Sequence, residues 1–171
     1  MKKINIFFYL IIIIICFFIN SSERIYYNSD IFFDIGNLLE IEFLKDGELY
    51  LKNNNDIIKK IEIELAHRDT EKRNGLKYRT LLKENRGMLF ILTNQEEYRQ
   101  INMRDVRIPL DIVYINQLDT VVFVNKYVSP MKDIDTINLP STIKYILEIN
   151  AGMSDKWRIK EGLTKITWFL K

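Results

Sequence analysis

The chain has 171 residues, 47% of them hydrophobic, enough for one domain with a substantial core; the net charge of +2 vanishes without Lys2 and Lys3, leaving 23 basic and 23 acidic residues and no nucleic-acid footprint. One cysteine, Cys16, and one histidine, His67, exclude disulfides and His/Cys zinc sites from the folded part, although a carboxylate-only site for a hard cation stays open. The six glycines form no phosphate-binding loop, so nucleotide chemistry is not expected, and no cofactor or metal is implied.

Met1-Lys-Lys precedes an uncharged run from Ile4 to Ile19, and the next charge is Glu23. A basic start followed by an apolar run reads as a signal peptide or membrane anchor over residues 1–22, which would place the rest outside the cytoplasm, periplasmic or anchored. At about 1.5 Å per helical residue the run spans roughly 24 Å, slightly short of a comfortable bilayer crossing. Ile15 before Cys16 is too large for a lipoprotein signal. Residues 23–38, which mix aromatic and polar side chains without a period, read as a tether.

A folded domain is expected over residues 39–171. Leu39 to Phe43 and Glu48 to Lys52 alternate around Asp46-Gly47, a pattern that predicts a hairpin. Asn53 to Asp56 predicts a turn, and Ile57 to Leu65 a half-exposed strand with Ile61, Ile63 and Leu65 on one face. Asp69 or Thr70 can cap a short helix that Asn74-Gly75 stops. Gly87 to Leu92, Tyr98 to Met103, Pro109 to Ile115 and Val121 to Val124 are predicted strands, with a tight turn at Gln117 to Asp119.

Lys126 to Thr142, with Pro130 and Pro140, predicts an irregular loop. Tyr145 to Ile149 predicts a strand, Asn150 to Gly152 a turn, Ser154 to Arg158 a short helix and Leu163 to Leu170 a closing strand. The fold class expected is therefore mainly β with small helices (α+β), arranged as a compact antiparallel β-sandwich or barrel.

Several segments carry a family resemblance. Asp46-Gly-Glu-Leu, Glu64-Leu-Ala, Asn74-Gly-Leu-Lys-Tyr-Arg, Gly87-Met-Leu-Phe, Met103 followed by Ile108-Pro-Leu-Asp-Ile, and Tyr145-Ile-Leu-Glu-Ile-Asn-Ala-Gly152 occur in the order and spacing of the DUF192 family. The chain resembles that group of small bacterial and archaeal domains of unknown function over about residues 40 to 171. The resemblance implies a jelly-roll-like β structure and no reaction. Where the family usually reads Phe-Trp-Met-Lys-Asn-Thr, this chain has Ile101-Asn-Met-Arg-Asp-Val.

The candidate site is the polar cluster around the central strand. Asp111 shares a strand face with Val113 and Ile115, and a buried carboxylate must be paired or accept several hydrogen bonds. Either Asp111, with Arg86, Met103, Arg104, Asp105 and Pro109, lines a pocket for a polar ligand, or it accepts amides of the Met103 to Pro109 loop and fixes its shape. Met88 and Met103 read as core filler, and His67 as a turn residue.

No catalytic residue stands out, which favours a non-catalytic module that binds a small molecule, a glycan or a protein partner and meets the membrane through its N-terminal segment. One alternative is a hydrolase using the paired carboxylates of Asp105 and Asp111, which would need both in one cleft. Another is a purely structural envelope interaction domain.

Overall fold

Short apolar and alternating runs, separated by polar turns, govern the body of the chain, and most of them form strands. A computed structural model describes residues 41–95, 97–132, 138–139 and 142–171. The expected signal peptide or anchor at 1–22, the tether at 23–38 and part of the loop before residue 142 lie outside the described residues.

The strands are β1 (Gly47–Asn53), β2 (Asp56–Ala66), β3 (Arg86–Ile91), β4 (Leu110–Asn116), β5 (Val121–Val128), β6 (Ile143–Asn150) and β7 (Lys165–Leu170). Two small helices, α1 (Asp69–Asn74) and α2 (Met153–Lys156), and a 3₁₀ turn at Glu97–Gln100 complete the described elements. Mainly β with small helices therefore holds. The strands form one seven-stranded sheet in the order β5-β4-β6-β3-β2-β1-β7. It is mixed rather than wholly antiparallel, because β2 and β3 run parallel, with Glu62 opposite Arg86 and Leu65 opposite Leu89. A parallel pair needs a long crossover, and the segment containing α1 supplies it. The outer strands touch at one corner, where Thr120 bridges Lys165 and Val121 N donates to Thr164 O at 2.8 Å.

The β1–β2 hairpin turns at Asn54-Asn55, whose φ angles of 49° and 77° suit the two-residue turn that matches strand twist. Asp46-Gly47, predicted as a hairpin turn, instead leads into β1 beside β2. Asp46 N donates to Ile63 O at 2.9 Å, and Asp46 Oδ2 accepts Leu65 N at 2.8 Å. Gly47 is required by close approach: a Cβ there would lie 2.2 Å from Phe169 O on β7.

Two further expectations change. The helix α1 is capped by Glu71, whose carboxylate accepts Arg68 N at 2.9 Å and His67 N at 3.1 Å, rather than by Asp69 or Thr70. The predicted strand Tyr98 to Met103 is a 3₁₀ turn followed by loop. Glu97 there accepts Thr93 N and Thr93 Oγ1 and Asn94 Nδ2, while Asn94 Oδ1 accepts Glu97 N, and that local network winds the chain.

Both faces of the sheet are buried. One packs Leu49, Leu51, Ile61, Ile63, Leu89, Val113 and Leu147 beneath Trp157. The other packs Met88, Phe90, Ile112, Tyr114 and Ile146 beneath the loop that carries Tyr98, Met103, Val106 and Ile108. Double coverage explains why β4 is a continuous apolar run apart from Asp111.

Candidate functional site

Asp111 is fully buried. The β4–β5 pairing slips beside it, from Leu110 opposite Val128 to Ile112 opposite Asn125. That leaves Tyr127 at φ 54° with an amide released from the ladder, and Asp111 Oδ1 accepts it at 2.9 Å. Asp111 Oδ2 accepts Ser154 N at 2.9 Å and Ser154 Oγ at 2.6 Å. The carboxylate thereby ties the bulge of β5 to the start of α2, with three donors to one charge.

The other predicted site residues disperse. Arg86 Nε pairs with Glu62 Oε2 at 3.1 Å, and its guanidinium lies 4.3 Å over the Phe43 ring. Met103 is buried in the second core cluster. Arg104 is exposed, with its amide donating to Asn102 Oδ1 at 3.1 Å. Asp105, at φ 64°, accepts Tyr78 N on its carbonyl and Tyr78 OH on its carboxylate at 3.3 Å. Pro109 O accepts Ala151 N at 3.0 Å. Among the described residues no ion pair joins Asp111 to Arg86 or Arg104.

A different constellation lies on the second face of the sheet. Between α1 and the segment 94–106 opens a cleft of about 760 Å³, a size suited to a small molecule. Leu76, Phe90, Leu92, Ile101 and Val106 supply its apolar lining, and none of the six residues singled out from the sequence lines it. Its sheet side carries Glu148 of β6, which sits opposite Met88 on β3 and Ile112 on β4. Glu148 is 6% exposed, and among the described residues its carboxyl has no hydrogen-bond or ion-pair partner. Burial pushes it up to about 8, so at neutral pH it is mostly the uncharged acid, a donor as well as an acceptor. Burial likewise raises the nearby Tyr114 phenol, with Glu148 and Tyr98 adding to the effect.

Around the mouth stand three cations and two carboxylates. Lys72 Nζ is taken by Glu97 at 2.8 Å and lies 4.0 Å from Asp69. Burial works to raise the Glu97 carboxyl, but Lys72 and Thr93 outweigh it and hold the group below its ordinary range. Arg73 and Lys77 also line the cleft, and neither forms an ion pair among the described residues.

Glu148 was open to the argument applied to Asp111. In Tyr145-Ile-Leu-Glu-Ile it is the lone carboxyl in an apolar strand, on the same face as Ile146. The basic wall from α1 had no comparable signal, because a charged short helix reads as a solvated surface.

Comparison with known proteins bears on the fold. The DUF192 family model, described as an uncharacterized ACR, matches residues 50–167. A crystal structure of a protein of unknown function from Novosphingobium aromaticivorans superposes with a TM-score of 0.61 at 24% identity, covering 71% of this chain and 84% of that one. A putative transcription regulator from Sinorhizobium meliloti superposes with a TM-score of 0.64 at 22% identity, covering 75% of this chain and 97% of that one. At these identities the likeness is one of fold. No curated protein matches the chain.

Proposed function

The chain belongs to the DUF192 family, a family of uncharacterised function, and we propose from the site itself that this member is a non-catalytic module that binds a small molecule in the Glu148 cleft. The observation that carries this reading is Glu148: a residue nine-tenths buried, its carboxyl without a partner among the described residues, on the wall of an apolar-lined cleft. That carboxyl lies on the cleft lining, where a bound ligand can supply the hydrogen bond the protein does not. The basic and apolar pattern of residues 1–22 supports a further part of the proposal, that the module works outside the cytoplasm, exported or held at a membrane.

Asp111 enters this reading as the brace for α2 and the β5 bulge, since its oxygens are already occupied by Tyr127 and Ser154. The test is a thermal-shift screen of small organic acids, amides and amines against the full chain and its Ile101→Trp variant, which fills the cleft from a partly buried lining position. Ligands that stabilise the parent and lose their effect in the variant support the reading. Ligands that stabilise both equally place binding elsewhere and refute it.

A further inference from the structure

The cleft has two chemically distinct ends, and their difference narrows the ligand. On the sheet side, Glu148 stands among Met88, Ile112 and Tyr114, with no cation paired to it among the described residues. At the mouth, Glu97 and Asp69 neutralise Lys72, whereas Arg73 and Lys77 keep their charge unmatched among the described residues. Between the ends lie Leu76, Phe90, Leu92 and Val106.

Resting on the binding reading above, we propose that the ligand is a small organic anion. Its carboxylate meets Arg73 and Lys77, its apolar chain lies on the Phe90 wall, and an uncharged oxygen, such as a ketone, accepts a hydrogen bond from the Glu148 carboxylic acid. A cationic ligand would gain no opposite charge from the uncharged Glu148 and would have to enter past Arg73 and Lys77, whereas an anion is drawn in by them.

The titratable groups facing Glu148 are few. Tyr114 acts on it from β4, with Tyr98 of the 3₁₀ turn edge-on to Tyr114, while Glu97, Asp69, Lys72, Arg73 and Lys77 line the same cleft. Lys72 and Thr93 hold the Glu97 carboxyl below its ordinary range and burial raises the Tyr114 phenol above its own, so the response of the cleft to pH near neutrality rests on Glu148. Ionisation there removes the donor and places a negative charge beside the anion.

Saturation-transfer NMR on the full chain tests this with three probes of similar size: 4-oxopentanoate, pentanoate and butylamine. The expected result is that 4-oxopentanoate binds best at pH 6.5 and weakens about tenfold or more by pH 9.5, since each unit above the Glu148 pKa depletes the acid tenfold. Glu148→Gln, which keeps a donor, should retain binding and lose the pH dependence. Replacing Arg73 and Lys77 together by Ala should weaken both carboxylate probes about fivefold or more. Butylamine competing at the Ile101→Trp-sensitive site, tighter as pH rises, overturns the anion assignment while leaving the binding module intact. If the two carboxylates bind Ile101→Trp as well as the parent, the cleft reading and this inference fall together.

Discussion

Asp111 and Ser154, 43 residues apart in sequence, are joined by two hydrogen bonds to a single carboxylate oxygen, at 2.9 Å from the Ser154 amide and 2.6 Å from its hydroxyl. The first turn of α2 is thus fixed to β4 by a charge that the core would otherwise reject, because only satisfied donors make a buried carboxylate tolerable.

Asp111→Ala should therefore unfold at markedly lower urea concentration, with a loss of about 3–5 kcal/mol, since it strands two amides and a hydroxyl. Ser154→Ala removes one of three donors and should cost about 1–2 kcal/mol. Equilibrium urea titrations of the two variants give both values. Equal losses would mean that the Ser154 hydroxyl, rather than the carboxylate, organises this corner.

Glu148→Gln should stabilise the protein above neutrality. The folded carboxyl, pushed up to about 8, holds its proton where the unfolded one, near 4.5, has released it. The native state then binds more protons than the unfolded state, so stability falls as pH rises from about 4.5 to about 8 and is flat beyond, a loss on the order of a few kcal/mol. Glutamine removes that slope. Melting temperatures from pH 5 to 9 should converge for parent and variant at the acid end and diverge at the alkaline end, with the variant higher. Parallel curves would show that Glu148 does not titrate in this range.

What could be read in the sequence and what could not divides along one physical line. Apolar patterning is local, whether alternating as in β2 or continuous as in β4, so β2, β3, β4 and β6 are visible in it within a residue or two. Partnership is not local. Asp111 is recognisable as a buried carboxylate beside a turn, but its neighbours in sequence, Arg104 and the loop before Pro109, are not its partners. Those lie at Tyr127 and Ser154, which only the bulge of β5 and the docking of α2 bring near. Glu148 was as visible as Asp111, yet its lack of a partner depends on β3 and β4 flanking β6, a sheet order that no short motif encodes. Asp46-Gly47 misled because the glycine answers to a strand arriving from the C-terminal end of the chain, through the Phe169 carbonyl.

That contact makes Gly47→Ala a sharp test of the β1–β7 pairing. A methyl group 2.2 Å from a backbone oxygen cannot be absorbed by a side-chain rotation, so one of the strands must shift. The expected cost is about 1–3 kcal/mol, read as a lower melting temperature, with amide exchange in β7 accelerated before that in β6. A neutral substitution would show that β7 does not close on β1 as described.

The last prediction concerns Glu64 and Arg79, a buried ion pair that anchors the crossover loop to β2. Arg79 Nη2 lies 2.7 Å from Glu64 Oε2, with both side chains less than a tenth exposed. The contact is close, yet Glu64 Oε2 and Arg79 Nε make no well-directed hydrogen bond, so the attraction is mostly charge against charge. Glu64 Oε1 is separately engaged by Leu44 N at 2.6 Å. Removing either partner leaves a charge buried alone, and each of Glu64→Ala and Arg79→Ala should cost about 3–5 kcal/mol. Removing both strands no charge, so the double variant should be more stable than the sum of the two losses implies, by a coupling of about 1–3 kcal/mol. Arg79→Leu combined with Glu64→Leu should recover more still, short of the parent because the Leu44 amide has lost its acceptor. A double-mutant cycle by urea denaturation measures the coupling. Strict additivity would mean that Arg79 reaches water in solution and that the loop between α1 and β3 is held without it, by Leu76 and Leu82 and by the Tyr78 bonds to Asp105.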